Sequence, residues 1–482
     1  MEKNTETPPR HSEYDLIVIG SGPAGIHAAV QAAKLNKKVC IIEKARRKIG
    51  GSWIHTGTLP SKTLRETLDS IHGIKNHIGS TWVERVLADL QTGKLFARAR
   101  EVSRLEEDLV RHHLANNHIE IIEGYGTVEN RFTVRVVSSE QQFLLSTGFI
   151  LLALGSRPKR PLSIPFDGWR VVDSDEIFSL ENVPKTMVIC GAGVIGCEYA
   201  CIFAALGVQV TVVDSRSRIL QSCDSEIVQE LQASMRALGV KFIFDADLDQ
   251  IHIKGPRVEL MCGANILEAD VLFYAGGRVG ASNRVGLERV GIEVNGNGII
   301  PVNKNFQTNI DNIYAAGDIV GHPSLAATAS QQGRHVACHA FGINLGDFPK
   351  DFPVGIYTIP ELSMVGKTEE ALKQEGIDFV VGRASYNEIA RGYIRGDSHG
   401  LLKLLISRET HHILGIHIVG ADACNLIHVG LAFMTKNGHA QDLINMVFNY
   451  PTLAEGYRIA AFNGLNKIFT DGVIRNPPDL AK

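Results

Sequence analysis

What this 482-residue sequence lacks narrows it before any motif is considered. Its eight cysteines, at 40, 190, 197, 201, 223, 262, 338 and 424, form no Cys-x-x-Cys pair and no zinc-ligand spacing. Several lie inside apolar runs, where a cysteine behaves as a small buried hydrophobe. A zinc module and a disulfide-stapled secreted fold are thereby disfavoured, and no metal site is expected. There is no run of about 18 apolar residues, so no segment should span a bilayer. Neither sign of charge prevails: the formal net charge of −3 gives no electrostatic reason to bind nucleic acid or an anionic membrane. The first ten residues are polar, carry Pro8-Pro9 and lack the apolar stretch of a signal peptide. They read as a disordered tail, and the chain as cytoplasmic.

What is abundant is glycine, 47 residues of it, in a chain whose 44% hydrophobic content can fill several cores. The apolar, β-branched run Tyr14–Ile19 predicts a buried parallel strand. Gly20-Ser-Gly22-Pro-Ala-Gly25 follows it, then a helical stretch Ile26–Leu35 and a second strand Lys38–Ile42 that ends at Glu43. Glycines at those positions permit a tight turn and a close approach of pyrophosphate to the helix N-terminus. Glu43 stands where a carboxylate accepts hydrogen bonds from ribose hydroxyls. A lone Gly-x-Gly-x-x-Gly is weak, but strand, helix, second strand and terminal acid together form a full dinucleotide fingerprint.

The fingerprint recurs. The strand Thr186–Ile189 leads to Gly191-Ala-Gly193-Val-Ile-Gly196-Cys-Glu198, a helix Cys197–Leu206 and a strand Gln209–Val213 ending at Asp214. Two such units imply two bound nucleotides. Asp214 suits a free ribose 2′-hydroxyl, whereas Arg216 and Arg218, just beyond it, suit a 2′-phosphate; a solvated loop with chance charges is the plain alternative. Between the fingerprints, residues 61–117 read as two or more helices, with strands at His118–Ile122, Phe132–Val137 and Phe149–Leu154. Further strands are expected at Lys241–Phe244, Val258–Met261 and Val271–Tyr274. The last region, Phe352–Phe469, mixes strands (Leu401–Ile406, His412–Val419) with helices (Ala423–Lys436, Ala454–Ile468).

The stretch Gly50-Gly51-Ser-Trp53-Ile-His-Thr-Gly-Thr58-Leu-Pro-Ser-Lys62 resembles the redox loop of the FAD-dependent pyridine nucleotide–disulfide oxidoreductases, Gly-Gly-x-Cys-x-x-x-x-Cys-x-Pro-Ser-Lys. Trp53 and Thr58 occupy the two cysteine positions, so the loop's sulfur chemistry cannot operate. Gly155-Ser-Arg-Pro158, Ala275-Gly-Gly277-Arg278 and Tyr314-Ala-Ala-Gly317-Asp318 are similar to the family's two crossover segments and its second FAD motif. Tyr450-Pro-Thr-Leu-Ala-Glu455 matches the family's His-Pro-Thr-x-x-Glu with tyrosine in place of histidine. An imidazole titrates near neutrality and a phenol far above it, so a dithiol's proton shuttle is missing along with the thiols.

The resemblance covers roughly residues 13–470. It implies an α/β chain with two Rossmann-like domains, for FAD (12–165 and 283–350) and for NAD(P) (166–282), and an α+β interface domain (351–472) that forms homodimers; a higher homo-oligomer stays open. Lys62, Glu198, Tyr450 and Glu455 are the implied catalytic positions. Asp318, Gly51, Gly155, Gly317, Gly277 and Arg278 join the fingerprint residues in cofactor binding. Thr58 and Tyr450 match the branch of the family that exchanges hydride between nucleotides, whereas Trp53, where that branch usually keeps the first cysteine, and Asp214, where a neutral residue is expected beside the arginines, depart from it. The match implies FAD-dependent transfer from NADPH to NAD+, with NAD(H) and NADP(H) as substrates. An NAD(P)H dehydrogenase acting on a quinone or other acceptor, and a non-catalytic flavoprotein scaffold or sensor, are the alternatives.

Overall fold

A computed structural model describes residues 13–45, 47–78, 92–263, 265–397 and 399–475; the tail 1–10 lies outside them. The chain divides into two compact units. The first comprises Met1–Thr63, Phe96–Pro161 and Gly276–Pro349, and the second Leu64–Leu95, Leu162–Ala275 and Lys350–Lys482.

The first unit is built on a parallel sheet in which Glu120–Glu123, Val39–Glu43, Tyr14–Ile19, the far half of Gln142–Leu152 and Ile313–Ala315 lie side by side. Tyr14–Ile19 is buried on both faces, as the unbroken apolar run requires. The strand Gln142–Leu152 belongs to two layers. Its first half pairs antiparallel with Thr133–Val137, and its second half pairs parallel with Tyr14–Ile19 and Ile313–Ala315. Two helices cover one face, Pro23–Lys34 and Ala326–Ala340. They approach so closely that a Cβ on Gly333 would lie 2.0 Å from the Ala24 carbonyl oxygen, so only glycine fits there.

The second unit holds a parallel five-stranded sheet in the order Lys241–Ile243, Gln209–Val213, Thr186–Cys190, Val271–Tyr274, Val171–Asp173. Both Rossmann-like sheets expected from the sequence are therefore present. Val258–Met261 falls elsewhere: it is part of Arg257–Cys262, the middle strand of an antiparallel three-stranded sheet with Leu248–Lys254 and Asn265–Ala269. The alternating burial of Arg257–Cys262 marks a strand with one solvated face.

The C-terminal part is an antiparallel five-stranded sheet, Val354–Ile356, Leu362–Gly366, Ile413–Val419, Leu401–Ser407 and Phe379–Ser385, carrying the helices Ala423–Thr435 and Glu455–Arg475. Lys403 interrupts an apolar strand there and is 1% exposed. Its ammonium reaches Asp224 at 2.8 Å, Glu226 at 2.9 Å and Glu369 at 2.5 Å. Asp224 also accepts the amides that open the helix Ser225–Ala237, so one buried cluster ties that helix to the C-terminal sheet. Among the described residues, no helix is long and apolar enough to cross a membrane.

Candidate functional site

In the first fingerprint the glycines are required by space as well as by conformation. Gly20 has φ +104°, and a Cβ there would sit 2.3 Å from the Ala153 oxygen; one on Gly25 would sit 2.1 Å from the Gly20 oxygen. A Cβ on Gly22 would meet nothing within 4 Å, so the turn opens on free space at the start of the helix Pro23–Lys34. Among the described residues no side chain caps that helix, which leaves its first amides and the positive end of its dipole facing the opening. Glu43, 8% exposed, closes the turn from the neighbouring strand: its Oε2 accepts the Ser21 amide at 3.0 Å and the Ser21 hydroxyl at 2.7 Å. Gly50 N–H donates to the same Ser21 oxygen at 3.1 Å. Ser21 therefore links the turn, the acid and the Gly50–Lys62 loop. Sequence reading passed over it because it fills a variable position of the motif.

The second fingerprint repeats this geometry. A Cβ on Gly196 would lie 1.8 Å from the Gly191 oxygen, and Gly193 again faces open space. Asp214 Oδ2 accepts the Ala192 amide at 2.5 Å. Here, however, Arg216 folds back on the acid, with Nε 2.7 Å from Oδ1 and Nη2 2.6 Å from Oδ2. Asp214 is 4% exposed beneath a guanidinium side chain that is 41% exposed. Burial alone would raise the Asp214 pKa, but the Arg216 hydrogen bonds and the Ala192 amide hold it below the ordinary carboxylate value. Arg218 points elsewhere, donating from Nη2 to the carbonyls of Gln221 and Cys223.

Asp318 opens a short 3-10 turn after Gly317, whose φ is +84°. Ser156 Oγ donates to Asp318 Oδ2 at 2.7 Å and receives Arg278 Nε at 2.8 Å, a relay from guanidinium through hydroxyl to carboxylate. These three residues, with Lys159 and Gly277, line a cavity of about 340 Å³. Gly155 has φ +68° and open space at its Cβ position. A larger cavity of about 520 Å³, at Lys304, His335 and Asp347, contains none of the expected site residues.

In the loop, Gly51 has φ +74° and its Cβ position lies 3.2 Å from the Gly22 Cα, so the loop passes directly over the first turn. Trp53 packs on the core of the first unit in the short helix Ser52–His55, and its indole N–H is buried with no hydrogen-bond partner among the described residues. Thr58 starts the helix Thr58–Ile78, which carries Lys62 in its first turns. All eight cysteines are free thiols; burial pushes Cys190 and Cys201 up to about 12 and Cys223 up to about 11. In the second unit Glu198 is buried, and its Oε1 accepts the Tyr357 amide at 2.9 Å. Tyr450 is 70% exposed next to exposed Met446 and Val447, and Glu455 begins the last helix. No group of three or more histidine, cysteine or acidic side chains is placed to hold a metal among the described residues.

Comparison with known proteins matches residues 14–333 to the pyridine nucleotide–disulphide oxidoreductases and residues 352–461 to the dimerisation domain of the same proteins. The chain belongs to this family. Among its oxidoreductase relatives are the soluble pyridine nucleotide transhydrogenases of Mycobacterium bovis BCG Pasteur and of Pseudomonas savastanoi pv. phaseolicola. The first is 42% identical, over 95% of this chain and 98% of that one; the second is 39% identical, over 95% and 99%. Among solved structures, the HOCl-induced flavoprotein disulfide reductase RclA of Escherichia coli aligns with a TM-score of 0.84 at 26% identity, over 93% of this chain and 99% of that one. LpdA of Mycobacterium tuberculosis aligns with a TM-score of 0.86 at 24% identity, over 92% and 98%, a likeness of fold.

Proposed function

We propose that this oxidoreductase transfers hydride between NADPH and NAD+ with FAD as the intermediate carrier and without a redox disulfide. The observation that carries the reading is the pairing of two open, glycine-lined nucleotide turns with a redox loop holding Trp53 and Thr58 in place of cysteines. The near-full-length likeness to transhydrogenases supports it.

The first unit fits FAD on its own geometry. The free space at Gly22, the uncapped helix behind it and the Glu43 carboxylate suit a pyrophosphate and a ribose. The Arg278–Ser156–Asp318 relay presents an oriented acid to a polyhydroxyl chain, with Gly51, Gly155, Gly317 and Gly277 giving backbone clearance. Bound there, FAD supplies two-electron hydride chemistry that no side chain possesses.

The turn at Gly191, Gly193 and Gly196 takes the nicotinamide nucleotide, and the Asp214–Arg216 pair meets its 2′ position. Arg218, committed to backbone carbonyls, holds the loop that carries Arg216. Lys62 and Glu198 are assigned to the reacting end, where each contributes a charge that orients the ring. The domain limits are those expected from sequence: 12–165 with 283–350 for FAD, 166–282 for NAD(P), and 351–472 for the interface. A second copy of the chain covers the exposed Met446–Tyr450 face, placing Tyr450 and Glu455 at a homodimer contact.

Purified protein should be yellow, release FAD on denaturation, and reduce a thio-analogue of NAD+ at the expense of NADPH. Lipoamide and glutathione disulfide should not be turned over, since positions 53 and 58 offer no thiolate. Reduction of a quinone with no nucleotide-to-nucleotide transfer would replace this reading with an NAD(P)H dehydrogenase.

A further inference from the structure

The segment Tyr357–Glu361 runs between two helices, one holding it with two residues a turn apart and the other with a single arginine. From Val194–Ala205, Glu198 accepts the Tyr357 amide at 2.9 Å, and Cys201 Sγ lies 3.8 Å from the Ile359 oxygen. From Thr58–Ile78, Arg65 donates Nε to the Thr358 oxygen at 3.2 Å and Nη1 to Glu361 Oε1 at 3.0 Å. The other Glu361 oxygen accepts the Cys424 amide at 2.9 Å, at the start of the helix Ala423–Thr435. Arg65, Glu198, Thr358 and Glu361 are all buried.

A buried ion pair adds little net stability, because desolvation offsets most of the attraction; what it does supply is a fixed geometry. Arg65 also reaches Glu66 at 3.3 Å and Asp69 at 3.6 Å, so its guanidinium is held on several sides. The backbone it immobilises contains the Tyr357 amide that donates to the Glu198 carboxylate.

We propose that Arg65 is a positioning residue for Glu198, acting through Thr358 and Glu361 to hold the Tyr357 amide against the carboxylate. The proposal rests on the reading that Glu198 serves the nicotinamide reaction. Arg65 touches neither nucleotide nor reacting atoms in this scheme. Its contribution is to keep a buried carboxylate in one rotamer, and displacement by about 1 Å at such a site costs up to about a hundredfold in rate.

The test uses the FAD-loaded protein. Arg65→Met should slow single-turnover reduction by NADH about tenfold while NADH affinity changes by less than about twofold. Arg65→Lys, which keeps the charge beside Glu361 but loses the planar fork, should fall between. Amide hydrogen exchange in 355–361 should accelerate in Arg65→Met, with 401–407 unchanged. Glu198→Gln should slow the same step, and the double variant should be no slower than the worse single one. Losses that multiply in the double variant, or an unchanged rate per bound flavin in Arg65→Met, would overturn the proposal. If Arg65→Met fails to fold or to bind FAD, Glu361→Gln carries the same measurements. Because reduction by NADH is read alone, failure of NADPH-to-NAD+ exchange would remove the transhydrogenase reading and leave this one standing.

Discussion

The same nucleotide turn is built twice in this chain, and the two copies differ in what covers the acid. Glu43 accepts the Ser21 amide and Asp214 the Ala192 amide, each across an interval of 22 residues. Glu43 Oε2 is taken up by Ser21, while its Oε1 meets, among the described residues, the Ala45 amide at 3.3 Å and can still receive a hydroxyl. Asp214 has both oxygens occupied, by Ala192 and by Arg216. The acid at the strand end therefore does not by itself decide between a hydroxyl and a phosphate. A bare carboxylate selects the hydroxyl; one neutralised by an arginine no longer repels the phosphate and sits beside a cation that attracts it.

The largest expected effect separates the two turns outright. Gly25→Ala should yield protein without bound FAD, since the added Cβ meets the Gly20 oxygen at 2.1 Å. Gly196→Ala should keep FAD yet be reduced by either nucleotide at least about a hundredfold more slowly. Absorbance of bound flavin and anaerobic stopped-flow reduction read both. If Gly196→Ala loses its FAD instead, the assignment of one nucleotide to each turn is wrong.

Next come the acids. Removing Glu43 with alanine takes a charge-assisted bond from Ser21, about 1.5–3 kcal/mol, and should weaken FAD by about one to two orders of magnitude in a reconstitution titration. Arg216→Ala uncovers Asp214, so NADPH should weaken over a similar range while NADH stays within about twofold. Asp214→Asn should shift preference toward NADPH. A NADPH-to-NADH ratio that neither change moves would make the pair a surface feature. Arg218→Ala should alter that ratio less than about twofold, because its bonds go to the loop backbone.

The smallest effect concerns acid stability of the second unit. Glu226 and Glu370 lie at about 2, below the ordinary 4.5: burial would raise both, but Arg383 and Lys403 outweigh it at Glu226 and hydrogen bonds from Ser225 outweigh it at Glu370. Carboxylates depressed in the folded state contribute stability above their unfolded pKa and lose it as pH falls toward the folded one. Thermal melts of the wild type should therefore decline between about pH 4.5 and 2. Glu370→Gln should flatten that decline; an unchanged slope would show that Glu370 does not contribute to it.

Both turns were legible in the sequence because a Cβ at Gly20, Gly25 or Gly196 collides with a carbonyl oxygen, a local constraint that leaves a local mark. Asp318 and the loop frame were legible for similar reasons. The occupation of Asp214 by Arg216 was not, since two neighbouring charges read equally well as a solvated pair. Nor were Ser156, Ser21 and Arg65, whose bonds to Asp318, Glu43 and Thr358 span 162, 22 and 293 residues. Val258–Met261 was seen as a strand but gave no sign of its sheet, because pairing with Leu248–Lys254 and Asn265–Ala269 is a property of the neighbours.

The double membership of Gln142–Leu152 bears on how this chain can change length. A one-residue slip in that strand would turn its side chains over in both layers at once, so neither layer could absorb an insertion for the other. The turn at 138–141, which joins it to Thr133–Val137 and is tied by Ser138 Oγ to the Gln141 carbonyl, bears no such double duty. Added residues, a tag or a small fused domain belong at that tip; two positions further along, the same insertion would break the pairing with Thr133–Val137.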